Sequence, residues 1–239
     1  MRSVARIAAG VVLVFAAWAA LVCFPQPLFA HTARLGYLTL HSDRPLPAEA
    51  AARVMALAEA KLAKSPLYFP EREWNIYICN SRWRQMIFFN KDYGVGGVAL
   101  YPITSNVFLR DARIEDNRLI SPRGSPVAGD RTLDYFIAHE ITHVLTGSFL
   151  GPLRQFLLPQ WVREGYADYV GKGSMIDLAE YRRAFLAEEP EMNYAKSGLY
   201  RRFLLLVAWQ LEHEGCAVER LLHNPPAQDQ VEAAIQKAP

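Results

Sequence analysis

The sequence predicts an α+β fold: a small N-terminal mixed β-sheet with helices, then a mostly helical half, preceded by an apolar N-terminal helix. Three observations predict it. Segments rich in β-branched and aromatic residues, such as "RLGYLTLHSD" at 34–43 and "EWNIYIC" at 73–79, all fall before residue 111. The segments after residue 130 carry helical periodicity instead. Residues 7–24 form an uncharged apolar run behind Arg2 and Arg6. Strands first and helices later is the order of an α+β chain, not of alternating βα units.

Composition sets the outer bounds. The 239 residues are 51% hydrophobic and 21% charged, enough for a core without a disulfide framework and suited to one main domain over residues 31–239. The net charge of +2 comes from Arg2 and Arg6, and acidic and basic residues balance from His31 onward. Such a chain has no cationic face for nucleic acid, and no nucleic-acid partner is expected. Cys23, Cys79 and Cys216 show no CxxC spacing, which speaks against a cysteine zinc site or redox motif. Pairing of Cys79 with Cys216 stays open.

Residues 1–30 read as a signal anchor or a signal peptide. A cleavable apolar core usually runs to about 7–15 residues. The 18 residues here exceed that and just pass the lower limit of about 17 for a helix that spans a bilayer. The candidate cleavage site Leu28-Phe29-Ala30 has a large residue, Leu28, where a small one is preferred. An uncleaved membrane anchor is favoured, with a cleaved, secreted form as the alternative. Either way the arginines stay cytoplasmic and the residues after 30 face outward, periplasmic in a Gram-negative cell.

The elements run in order along the chain. Residues 34–43 form a strand stopped by Pro45 and Pro47, and 48–64 an alanine-rich helix with Val54, Leu57, Ala58 and Leu62 on one face. A second strand covers 73–79, and Ser81 caps a short helix through Phe89. "YGVGG" at 93–97 is a turn, followed by short strands at 98–101 and 106–110 and a Pro/Gly loop at 121–130. A helix then spans 132–146 with Gly147 as its stop, and 151–159 is an exposed connection. Helices come next at 160–170, 174–188 and 197–214, the last with the nearly all-round apolar middle "FLLLVAWQL" of a buried helix.

The chemistry concentrates in "YFIAHEITHVL", residues 135–145. Helical residues four apart share a face, with Cβ atoms about 6 Å apart, so the His139 and His143 imidazoles can meet one metal ion. Glu140 points beside them and can reach a water without being a ligand. This is the HExxH arrangement of metal hydrolases. Leu133, Phe136, Ile137, Ile141, Val144 and Leu145 bury the other face. A catalytic zinc takes three protein ligands and keeps one position open. "WVREGYADYV" at 161–170 offers Glu164 as the third, and Asp168, one turn on, as the carboxylate that fixes a ligand imidazole.

HExxH followed after twenty residues by a glutamate within W-x-x-E-G-x-A-x-Y resembles the gluzincin metallopeptidases of the peptidase MA type. The resemblance is specific over residues 130–171. It implies a zincin-like helical half, a Zn2+ cofactor, Glu140 as general base and a peptide or protein substrate. "YAKSG" at 194–198 is similar to the Y-x-K-G stretch that carries the oxyanion-binding tyrosine of the aminopeptidase branch, which implies a catalytic Tyr194; Tyr200 and His213 are rivals. The G-x-M-E-N motif of that branch is missing, so an endopeptidase fits better than an aminopeptidase. Members bind peptide along a sheet edge, and 106–110 is the candidate edge strand. The competing reading is a catalytically inactive, membrane-tethered interaction module that keeps the zinc site.

Overall fold

The N-terminal apolar run is helical in the computed structural model of the chain, which describes residues 2–89, 95–173 and 176–238. Backbone contacts group the chain into two compact units, Met1–Ala56 with Glu71–Leu133, and Leu57–Pro70 with Asp134–Pro239. Together they make an α+β fold with a mixed sheet.

The first unit opens with α1 (Arg2–Cys23). The stretch expected as one strand at 34–43 holds the turn of a hairpin instead, running from the end of β1 (His31–Leu35) through β2 (Leu38–Ser42). Gly36 turns the chain with φ 55°, a conformation open to glycine and costly for most other residues. Helix α2 (Ala48–Leu62), strand β3 (Trp74–Ile78) and helix α3 (Arg82–Phe89) lie close to the expected bounds. Strands β4 (Gly97–Ala99) and β5 (Val107–Leu109) complete a five-stranded sheet in the order β1-β2-β3-β5-β4. The three inner strands are parallel, and β1 and β4 run antiparallel at the two edges. The 106–110 strand is therefore interior, and β4 is the edge beside it. Of the turn expected at 93–97, Tyr93 and Gly94 lie outside the described residues, and Gly97 already begins β4. A two-stranded ribbon, β6 (Ala112–Arg113) with β7 (Arg118–Leu119), comes after the sheet.

Inner strands are buried on both faces, as parallel strands must be. Leu38, Leu40, Ile76, Ile78, Val107 and Leu109 alternate with Tyr77 and Phe108, and all are buried. Tyr77 stacks on Phe108, and Phe88 of α3 stacks on Phe108 with centroids 4.3 Å apart. Val22 and Phe29 join this cluster.

The second unit is helical: α4 (Leu133–Leu150), α5 (Pro152–Leu157), α6 (Gln160–Gly171), α7 (Leu178–Leu186), α8 (Tyr194–Ser197), α9 (Arg201–Ala208), α10 (Val218–His223) and α11 (Gln228–Lys237). Helix α4 runs through Gly147 and ends at Gly151, whose φ is 81°. The expected connection at 151–159 contains the short helix α5. The helix expected over 197–214 is broken: Gly198 at φ 67° closes α8, and a π-helical turn over Trp209–His213 ends the apolar stretch. The first residues of the helix expected from 174 lie outside the described residues.

Close approach holds this unit together. A Cβ on Gly165 of α6 would sit 2.8 Å from the Val207 side chain and collide with the Phe203 carbonyl, so only glycine lets α6 and α9 pack so tightly. The end of α2 joins in: Lys61 pairs with the buried Asp134 at 2.6 Å, and the Ser65 and Tyr166 hydroxyls lie 2.7 Å apart.

Candidate metal centre

Helix α4 presents its working face at its middle. His139 and Glu140 are buried, and His143 is partly so. Helix α6 packs so that Glu164 meets both histidines. Among the described residues this His139–His143–Glu164 set has one ligand atom from each residue, all within 4.8 Å of one another. The imidazole Nε2 atoms are 3.2 Å apart, and Glu164 Oε2 lies 3.7 Å from that of His139 and 3.5 Å from that of His143. Tetrahedral zinc with bonds of about 2.0–2.1 Å requires ligand atoms about 3.3 Å apart. The three separations bracket that value, so the triangle is the right size for a zinc ion without rearrangement.

The donor set also asks for a cation. Asp168 Oδ1 lies 2.9 Å from His139 Nδ1, and the Tyr135 hydroxyl donates to the same carboxylate oxygen. That directs Nε2 of His139 at the other two ligands. Arg163 Nε donates to Glu164 Oε1 at 3.1 Å, which leaves Oε2 to face the histidines. Burial disfavours a charged imidazole at 139, but hydrogen bonds to Asp168 and Glu164 outweigh it and hold the His139 pKa up at about 10. Burial likewise disfavours the Glu164 carboxylate, but the charges and hydrogen bonds of His143 and His139 hold its pKa far below the usual carboxylate range. Positive charge is therefore favoured at this point, and a divalent cation held by the same three atoms would supply it in place of protons.

All the residues expected at the ligand site come together: His139, His143, Glu164 and, behind His139, Asp168. The aromatic side of the site differs in order. Tyr200 lies parallel to the His139 ring, with centroids 6.3 Å apart and planes 11° apart. Tyr194 stacks on Tyr200 at 4.9 Å, one ring further out, and is 45% exposed. Burial, the nearby Glu164 charge and a hydrogen bond to Tyr194 raise the Tyr200 pKa strongly, so its hydroxyl stays a proton donor. His213 stacks on Trp209 and lies 3.2 Å from Glu214. Sequence reasoning missed Tyr135 and Arg163. Tyr135 was findable, since it sits four residues before His139 on the same helical face.

No protein-family model matches the chain, and no curated protein matches it.

Proposed function

We propose that the chain is a zinc-dependent peptidase of the gluzincin type, most simply an endopeptidase, tethered to a membrane by α1 with its catalytic residues on the extracytoplasmic side. The observation that carries the reading is the His139–His143–Glu164 triangle, with sides of 3.2, 3.5 and 3.7 Å, together with an imidazole fixed by Asp168. When bound, zinc supplies a Lewis acid that polarises the scissile carbonyl and acidifies the attacking water. His139, His143 and Glu164 hold the ion. Glu140, adjacent to His139 on α4, takes the proton of the attacking water and delivers it to the leaving amine. Tyr200 donates its hydroxyl to the carbonyl oxygen as negative charge develops, and Tyr194 orients that hydroxyl. Asp168, steadied by Tyr135, keeps His139 in the tautomer that offers Nε2.

Retention of α1 is favoured over cleavage by its packing: Val22 is fully buried among Phe29, Tyr77, Phe88 and Phe108, and cleavage near residue 30 would remove it. The retained Glu140 argues against an inactive zinc-bearing interaction module, since metal binding alone needs no base. The test is peptide cleavage from a proteome-derived library by the full chain and by Glu140→Gln. The reading expects wild-type cleavage that chelators abolish, and a loss of at least about 100-fold in the variant with zinc retained. Equal cleavage by the two proteins would remove Glu140 as the base.

A further inference from the structure

We propose that the face of the sheet unit around the end of α1 is seated in the membrane interface, with lipid as its partner. The proposal rests on the reading of α1 as a retained anchor.

The end of α1 is part of the folded unit. The Trp18 indole donates to the Ile87 carbonyl at 3.1 Å, and Val22 is buried in the sheet's aromatic cluster. The Asn106 amide donates to the carbonyls of Val22 at 2.9 Å and Cys23 at 3.2 Å, satisfying two groups that a helix end otherwise leaves open. Cys23 Sγ lies 3.3 Å from the Ile103 carbonyl. Trp18, Val22 and Cys23 are thus committed to the protein, while residues 7–17 are exposed along their whole length.

Helix length sets how deep the docked turn must sit. At about 1.5 Å per residue, residues 7–17 extend only about 16 Å. The hydrocarbon core is about 30 Å thick. Even the whole apolar window, the 18 residues Arg6–Cys23, reaches only about 27 Å. For the N-terminal arginines to reach the far headgroups, the docked turn must itself lie within the bilayer, and whatever flanks it must lie there too.

The flanks suit that position. Phe24 is 71% exposed, Ile103 40%, and α3, whose Ile87 receives the Trp18 bond, exposes Trp83 at 46% and Met86 at 62%. Scattered apolar side chains are ordinary on a surface, but these surround the exit point of an apolar helix. Trp83 is the kind of aromatic side chain that sits at the headgroup boundary.

The test uses the full chain reconstituted in phosphatidylcholine vesicles. A polarity-sensitive fluorophore is attached at Met86→Cys, and at Asp116→Cys as a control on the same unit, with Cys23 and Cys216 changed to alanine. The proposal expects blue-shifted emission at 86 that nitroxide-bearing lipids quench, and water-like, unquenched emission at 116. Emission at 86 as water-like as at 116 overturns the proposal and leaves the anchor standing. Protection at 86 that lipid quenchers do not reach also overturns it, in favour of a protein partner. An intact mass lacking residues 1–30 overturns the anchor and the proposal together. As a second measurement, Trp83→Glu with Met86→Glu should keep the unfolding temperature and raise the fraction extracted from membranes at alkaline pH; unchanged extraction counts against the proposal.

Discussion

Asp168 Oδ1 lies 2.9 Å from His139 Nδ1 and also accepts from the Tyr135 hydroxyl, so one buried carboxylate fixes the ring that faces Glu164. Asp168→Asn replaces a charged acceptor by an amide and should weaken zinc binding about 10–100-fold, with partial rescue of activity by excess zinc. Tyr135→Phe removes only the outer bond and should cost less. Competitive chelator titration of both variants, against Glu180→Gln on an exposed helix face, gives the order. Zinc binding by Asp168→Asn as tight as in that control would leave the aspartate without a supporting role.

Tyr200, and not Tyr194, lies against the His139 ring. Tyr200→Phe should lower kcat by about 100–1000-fold with zinc content unchanged, the usual cost of an oxyanion donor. Tyr194→Phe removes one hydrogen bond to Tyr200 and should cost about tenfold or less. Steady-state kinetics on a cleaved peptide separates the two. The reverse order would return the role to Tyr194.

Gly165 sits where a Cβ would press on Val207 and on the Phe203 backbone. Gly165→Ala should therefore destabilise the helical unit by about 1–3 kcal/mol through overpacking, although alanine favours helices. Because Glu164 precedes it on α6, metal affinity should fall as well. Thermal unfolding with and without zinc measures both, and a raised midpoint would show that the helices separate freely.

Asp43 carries a pH signature. Burial raises its pKa, but bonds from the Asn80 and Ser81 backbone amides and from Arg84 outweigh this and hold it below its ordinary 3.8. A depressed carboxyl pKa means stability present above about 4 and lost as pH falls through the folded value. Asp43→Asn should destabilise the protein at pH 7, and the gap to wild type should narrow as pH falls below about 4. Denaturant unfolding at several pH values tests this, and a pH-independent gap would contradict it.

Much of this was legible in the sequence because it is local. Helical spacing alone places His139, His143 and Glu140, and the same periodicity marks Glu164 and Asp168 on the next helix. The features that were not legible depend on three dimensions. The hairpin at Gly36 is hidden because β-formers flank it on both sides. Helix α4 continues past Gly147 because neighbouring residues stay buried, which outweighs glycine's low propensity. Strand β5 is interior because β4 folds back onto it, and no spacing within 106–110 reports that neighbour. The precedence of Tyr200 over Tyr194 comes from the reversal at Gly198, which sets the two rings parallel with the later one inside.

The most direct measurement is the zinc content of the purified full chain, wild type beside His143→Ala, after exhaustive dialysis against metal-free buffer. About one zinc per wild-type chain is expected, with most of it lost in the variant, since a three-ligand site has no spare protein ligand. Equal zinc in the two proteins, or none in either after loading with excess zinc, would contradict the three-ligand site.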